Sequence, residues 1–138
     1  MKKTSTFLLF VGDQCGKAQE AIDFYTSIFP NSKTISLEKY AEGEAGGAPD
    51  LIKHGVFTIN ETEYMVSESN FDHAFTFSPA ISIFVEYDSE DEMKTYFEKL
   101  SKGGQVMVPI DDYGYSHSQK YGWCEDRFGV SWQFNLAK

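Results

Sequence analysis

The 138-residue sequence predicts an α+β fold made from one unit used twice, and three observations carry that prediction. Two amphipathic helical stretches of similar length each follow a strand-like run after a short loop. Each helical stretch is followed by three further strand-like runs. The order strand, helix, strand, strand, strand thus recurs over roughly 65 to 70 residues. The halves share almost no identity, so the repeat lies in element order and not in residues. A chain of this length fits one domain, which buries roughly 70% of its unfolded surface without staples.

The elements follow in order. Phe7-Leu8-Leu9-Phe10-Val11 reads as the first strand, ending at Gly12-Asp13. Behind Met1-Lys2-Lys3 it is too short for the hydrophobic region of a signal peptide. Ala18, Ala21, Ile22, Tyr25, Ile28 and Phe29 recur at three- and four-residue steps until Pro30-Asn31, which predicts a helix over about 17 to 29. Strands are expected over about 33 to 40, 51 to 59 and 63 to 67, the last two joined by a tight turn at Asn60-Glu61-Thr62. The second unit opens with a strand from Ala80 to Glu86. Ser89 and Glu92 then make a capping box, Met93, Tyr96, Phe97 and Leu100 an apolar stripe, and Gly103-Gly104 the stop of the second helix. Three more strands are expected over about 105 to 108, 119 to 124 and 130 to 136, so the modules span about 4 to 70 and 78 to 138. Two stretches lack any period. Residues 42 to 50, with Gly43, Gly46 and Gly47, read as a solvated connector; Pro109 to Ser118, where Tyr113 and Tyr115 flank Gly114 and precede His117, reads as a lid or interface loop.

Composition narrows the partners. Twelve Lys and Arg against 21 Asp and Glu give a formal charge of -9, which repels phosphate backbones and anionic lipid surfaces, so neither nucleic acid nor membrane is an expected partner. No apolar run reaches the length of a membrane span. Cys15 and Cys124 have no CxxC or Cys/His spacing, and free thiols in a reduced, cytoplasmic setting are expected. Aromatic residues make up 16% of the chain, leaving rings available for a pocket or an interface.

Period-two alternation shows which side chains share a face. In the last strand Trp132, Phe134 and Leu136 oppose Ser131, Gln133 and Asn135. In the strand from Ala80, the residues Ile81, Ile83 and Val85 suit the helix side and leave Ala80, Ser82 and Phe84 opposite. The first strand divides into Phe7, Leu9 and Val11 against Thr6, Leu8 and Phe10, and the run near residue 65 into Tyr64 and Val66 against Met65 and Ser67. If the strands join in one curved sheet, its non-helical face carries Thr6, Ser67, Ser82 and Gln133 among apolar residues. That is the makeup of a small-molecule cleft; it is also that of a half-solvated antiparallel sheet with no ligand.

Three segments carry a resemblance: Ala21-Ile22-Asp23-Phe24-Tyr25 with Phe29-Pro30-Asn31-Ser32-Lys33; Phe77-Ser78-Pro79-Ala80-Ile81-Ser82; and Gly122-Trp123-Cys124-Glu125-Asp126-Arg127-Phe128-Gly129-Val130-Ser131-Trp132-Gln133. In this order the chain resembles the PhnB-like proteins, often labelled 3-demethylubiquinone-9 3-methyltransferase, of the vicinal oxygen chelate superfamily of glyoxalases, bleomycin-resistance proteins and extradiol dioxygenases. The resemblance implies paired βαβββ modules forming a curved mixed sheet around a cleft, the glyoxalase/bleomycin resistance-like fold, usually in a homodimer. Metal-dependent members hold a divalent ion with four His or Glu side chains, one from each of four cleft strands. The corresponding positions here fall near Thr6, Ser67, Ala80 and Gln133, with Glu68 adjacent to the second. Such an ion wants imidazole or carboxylate donors, so no metal and no cofactor is expected.

The remaining polar residues give no second site. His54, His73 and His117 have no metal-binding spacing, and only His117 sits in a loop that can border a cleft. Asp111 and Asp112 are neighbours whose side chains diverge. A nucleoside-dependent methyltransferase of the usual kind needs a Gly-rich turn between a parallel strand and a helix, whereas Gly43, Gly46 and Gly47 lie between two strands. No Walker loop, GxSxG elbow or Cys/His nucleophile is present. The leading expectation is a homodimer that binds a small molecule without metal, through Thr6, Ser67, Ser82, Tyr113, Tyr115, His117, Trp123 and Gln133. The alternatives are an enzyme in the same cleft, a glyoxalase-like lyase or a transferase with His117 moving a proton, and a partner protein with no ligand.

Overall fold

A computed structural model describes residues 1–138. The chain divides into two compact units, Met1–Thr76 and Phe77–Lys138. The first contains β1 (Thr6–Phe10), α1 (Ala18–Ile28), β2 (Thr34–Lys39), β3 (Ile52–Ile59) and β4 (Thr62–Glu68). The second contains β5 (Ser82–Tyr87), α2 (Glu90–Ser101), β6 (Gln105–Asp111), β7 (Ser118–Glu125) and β8 (Ser131–Ala137). The eight strands hydrogen-bond as two four-stranded sheets, not as one continuous ladder. Their orders are β1-β4-β3-β2 and β5-β8-β7-β6, and in each the first strand runs parallel to the last strand of its unit while the other pairs are antiparallel. The repeat expected from element order is therefore also a repeat of topology.

Each sheet buries one face under its helix, and aromatic rings fill the gap. Tyr25 of α1 stacks on Phe57, which stacks on Tyr64, at 6.1 and 5.6 Å between centroids. In the second unit Phe97 of α2 meets Phe134 edge-on at 5.5 Å, and Tyr87 lies 5.2 Å from the same ring. The Ser89 hydroxyl accepts from Glu92 N and starts α2, one half of the expected capping box. α1 has no such residue at Lys17. Buried Glu68, 2% exposed, replaces it: Oε2 accepts from Gly16 N and Ala18 N, and Oε1 accepts from Ile52 N at 2.9 Å. A carboxylate at a helix N-terminus meets both unpaired N–H groups and the positive end of the dipole.

The helix-side face of β1 differs from the expectation. Leu8 and Phe10 are buried with their register partners Val66 and Glu68, while Phe7 is exposed and Leu9 half-buried opposite Met65 and Ser67. Every residue from Phe7 to Val11 is apolar, so β1 alone cannot choose a side; pairing with Tyr64, Val66 and Glu68 of β4 makes the choice. Thr6 consequently lies on the helix side of the sheet, opposite Tyr64, and not on the open face.

The turn between β3 and β4 has Asn60 and Glu61 at φ 46° and 69°, the left-handed pair of a tight hairpin. The connector at 42 to 50 is less free than a solvated loop. A Cβ at Gly47 would stand 2.1 Å from the Tyr40 ring, and Tyr40 Oη donates to Glu68 O. Gly47 thus admits that ring and serves packing. β6 runs on to Asp111, so the irregular part of the loop expected from Pro109 is Asp112 to His117.

Candidate functional site

On the sheet face turned away from α2, the registers of β5, β8 and β7 lay out three rows. Ser82, Ser131 and Glu125 form the first, Phe84, Gln133 and Trp123 the second, and Glu86, Asn135 and Tyr121 the third. Successive rows are two residues apart along the strand, about 6.6 Å. Alternation accounts for the pattern: Trp132, Phe134 and Leu136 face the core under α2 and put Ser131, Gln133 and Asn135 on the other face, where Ser131 and Asn135 are themselves buried.

Five of these side chains form one hydrogen-bonded chain. Tyr121 Oη donates to Gln133 Oε1 at 2.8 Å, Gln133 Nε2 donates to Ser82 Oγ at 3.2 Å, Ser82 and Ser131 share a 2.6 Å hydroxyl contact, and Trp123 Nε1 donates to Ser131 Oγ at 2.7 Å. Burial, then Tyr115, pushes the Tyr121 phenol above its ordinary pKa, so at neutral pH it stays a donor.

The aromatic loop packs beside this chain. Tyr115 meets Tyr121 edge-on at 5.6 Å, Tyr113 meets it edge-on at 6.4 Å, and His117 stacks on Tyr115 at 5.9 Å. Tyr113 Oη donates to Pro109 O, and the Asp112 carboxylate accepts from Gly114 N. Asp111 accepts from Asp112 N, so the two carboxylates fold back on their own loop and form no dyad. The backbone carbonyl of His117 accepts from Asn135 Nδ2 at 3.4 Å.

Of the residues expected to bind a ligand, Ser82 and Gln133 are thus bonded to each other and Trp123 joins them through Ser131, while Tyr113 and Tyr115 pack edge-on against Tyr121 and His117 stacks on Tyr115. Thr6 is on the wrong face of the first sheet. Ser67 lies on the open face of that sheet, where its hydroxyl donates to Lys53 O. Tyr121, Ser131 and Asn135 were missing from the expected set, although alternation from Trp123 and Gln133 along β7 and β8 points to all three. A surface depression of about 410 Å3 in the second unit is lined by Asp112 and Gly114 of the same loop together with Glu90, Ser118, Lys120 and Leu136, and by none of the five linked side chains.

The motif after Trp123 is structural. Asp126 Oδ1 accepts from Phe128 N and Val130 N, Oδ2 accepts from the Trp132 indole, and Gly129 turns the chain at φ 87°. Arg127 lies over the Phe128 ring, 4.7 Å from its centroid. This knot fixes the start of β8 and hence the placement of Ser131 and Gln133.

The four positions implied for a metal do not make a metal's donor set. Thr6 faces the helix side, the Ser67 hydroxyl is bonded to Lys53 O, Ala80 has no donor atom, and the Gln133 amide is bonded to Tyr121 and Ser82. Glu68 is engaged by three backbone N–H groups. No group of three or more His, Cys, Asp or Glu side chains is arranged to hold an ion. His54 stacks on Phe7, and His73 Nε2 shares a 2.9 Å hydrogen bond with Ser69 Oγ.

Two βαβββ units, each a mixed sheet under one helix, define the glyoxalase/bleomycin-resistance class of the vicinal oxygen chelate fold. The fosfomycin-resistance protein FosX of Listeria monocytogenes is similar at a TM-score of 0.65 and 15% identity, over 100% of this chain and 95% of that one. A protein of Pseudomonas aeruginosa is similar at a TM-score of 0.77 and 21% identity, over 98% of each chain. The model of the family described as 3-demethylubiquinone-9 3-methyltransferase matches residues 2–135, and the chain belongs to that PhnB-like family. The PhnB protein of Bacillus cereus is similar at 41% identity and a TM-score of 0.85, over 99% of this chain and 100% of that one. No curated protein sequence matches the chain.

Proposed function

We propose that this PhnB-like protein is a cytoplasmic homodimer that binds a small, partly apolar molecule without a metal, on the open face of the second sheet. One observation carries the reading: Tyr121, Gln133, Ser82, Ser131 and Trp123 form a single neutral hydrogen-bonded chain beside the Tyr113, Tyr115 and His117 rings. A few linked polar groups on an apolar wall suit orientation of a ligand. The carboxylates on the face, Glu86 and Glu125, stand at the ends of rows and not within the chain, which favours binding over proton transfer. The methyl transfer named in the family's description needs a donor bound beside the same face, and the glycine connector lies between two strands with Gly47 packed on Tyr40, which is not the form of a nucleoside loop. Exposed apolar side chains, among them Ile81 at 79% and Phe7, support a second copy as partner.

A fragment screen followed by Trp fluorescence tests this, because Trp123 is on the face while Trp132 is buried in the core as an internal reference. Hits are expected to bind at least about fivefold more weakly to Tyr115→Ala, the value of a lost aromatic contact. The melting temperature should fall by no more than about 5 °C, since Tyr115 is half-exposed. Loss of folding in that variant, with unchanged affinity in whatever remains folded, contradicts the reading.

A further inference from the structure

We propose that this face takes an uncharged, flat aromatic molecule with a carbonyl-type acceptor at one end and a hydroxyl or N–H donor about one row away. The proposal rests on the reading of the face as a ligand site. The linked side chains carry six polar hydrogens: one each on Tyr121, Ser82, Ser131 and the Trp123 indole, and two on the Gln133 amide. Four hydrogen bonds join the five residues, and that number holds whichever way the Gln133 amide is turned. Two hydrogens are therefore directed at no protein acceptor. Ser82 and Gln133 are both half-buried, with Phe84 and Trp123 on either side of Gln133. A carbonyl oxygen lodged between those rings fills the deficit.

The next row has the opposite need. Asn135 is 1% exposed, its Nδ2 donates to His117 O, and its Oδ1 has no partner. The His117 carbonyl fixes the amide's direction, since the reverse would set two oxygens against each other. A buried acceptor without a donor is unfavourable, and a ligand O–H or N–H reaching it removes the penalty. Rows about 6.6 Å apart match the separation of a carbonyl oxygen and a para hydroxyl across one benzene ring. Charge excludes anions: the three rows contain Glu86 and Glu125 and no Lys or Arg.

Binding of 4-hydroxyacetophenone, acetophenone, 4-ethylphenol and 4-hydroxybenzoate to the full chain, by calorimetry and Trp fluorescence, tests the assignment. 4-Hydroxyacetophenone should bind tightest, and loss of the hydroxyl, loss of the carbonyl or gain of the carboxylate should each weaken binding about tenfold. Gln133→Leu should erase the preference for the carbonyl, and Asn135→Leu the preference for the hydroxyl. The ligand comparison on the unmodified chain stands even if a variant does not fold. Equal or tighter binding of 4-hydroxybenzoate, or indifference to the carbonyl, overturns the assignment. If fragments of other chemistry quench Trp123 while these do not, the ligand face survives and this inference falls. If no fragment does, both fall.

Discussion

Asp126→Asn is nearly isosteric and leaves the open face untouched, yet it should strongly destabilise the second unit. The carboxylate receives three donors: Phe128 N at 2.9 Å and Val130 N at 3.1 Å on Oδ1, and the Trp132 indole at 2.9 Å on Oδ2. An Asn amide has one oxygen. It can keep both backbone donors only by turning its NH2 toward the indole, which is fully buried. One charge-assisted bond is then lost and a buried N–H is left facing another donor, a cost of about 3 kcal/mol. For a chain of this size that is a fall in melting temperature of about 10 °C. Circular dichroism melts and urea titration measure it. A double-mutant cycle with Trp132→Phe isolates the indole bond, and the Asn substitution should cost about 1.5 kcal/mol less when the indole N–H is absent. A loss below about 1 kcal/mol for Asp126→Asn, or no coupling to Trp132, would refute the view that the Asp-Arg-Phe-Gly-Val-Ser-Trp-Gln block is a structural knot.

Three further outcomes are expected. Elemental analysis of untagged protein should find no stoichiometric divalent metal; one equivalent per chain, lost in Gln133→Ala, would reverse the metal-free reading. Burial, with Asp126 and Glu125 adding, pushes the Cys124 thiol up to about 12. A disulfide-exchange reagent near pH 8 should therefore label Cys15 faster in the folded chain and both thiols in urea. Because folding raises this pKa, its stabilising share is whole below about pH 8.5 and is lost as pH climbs toward 12, so alkaline destabilisation should be shallower in Cys124→Val. Light scattering at micromolar concentration should give twice the chain mass; a monomer would assign the exposed Ile81 and Phe7 to some other partner.

Alternation and periodicity were enough, in the sequence itself, for the elements that bury one clear face. Both helices, the Asn60-Glu61 turn and the polar row Ser131, Gln133 and Asn135 follow from local pattern, because a stripe of apolar residues leaves only one way to face a core. Family resemblance added the expectation of a cleft and the positions where metal ligands would stand. The sequence could not orient β1, since five successive apolar residues carry no parity; register with β4 decided it and turned Thr6 away from the open face. Nor could it assign Glu68, whose value lies in three backbone N–H groups supplied by segments 16 to 52 residues distant. The chain from Tyr121 through Gln133, Ser82 and Ser131 to Trp123 joins three strands, so it exists only once β5, β8 and β7 are paired. Side-chain type and spacing are local properties, whereas which donors lack an acceptor is settled only when distant strands come within hydrogen-bond reach.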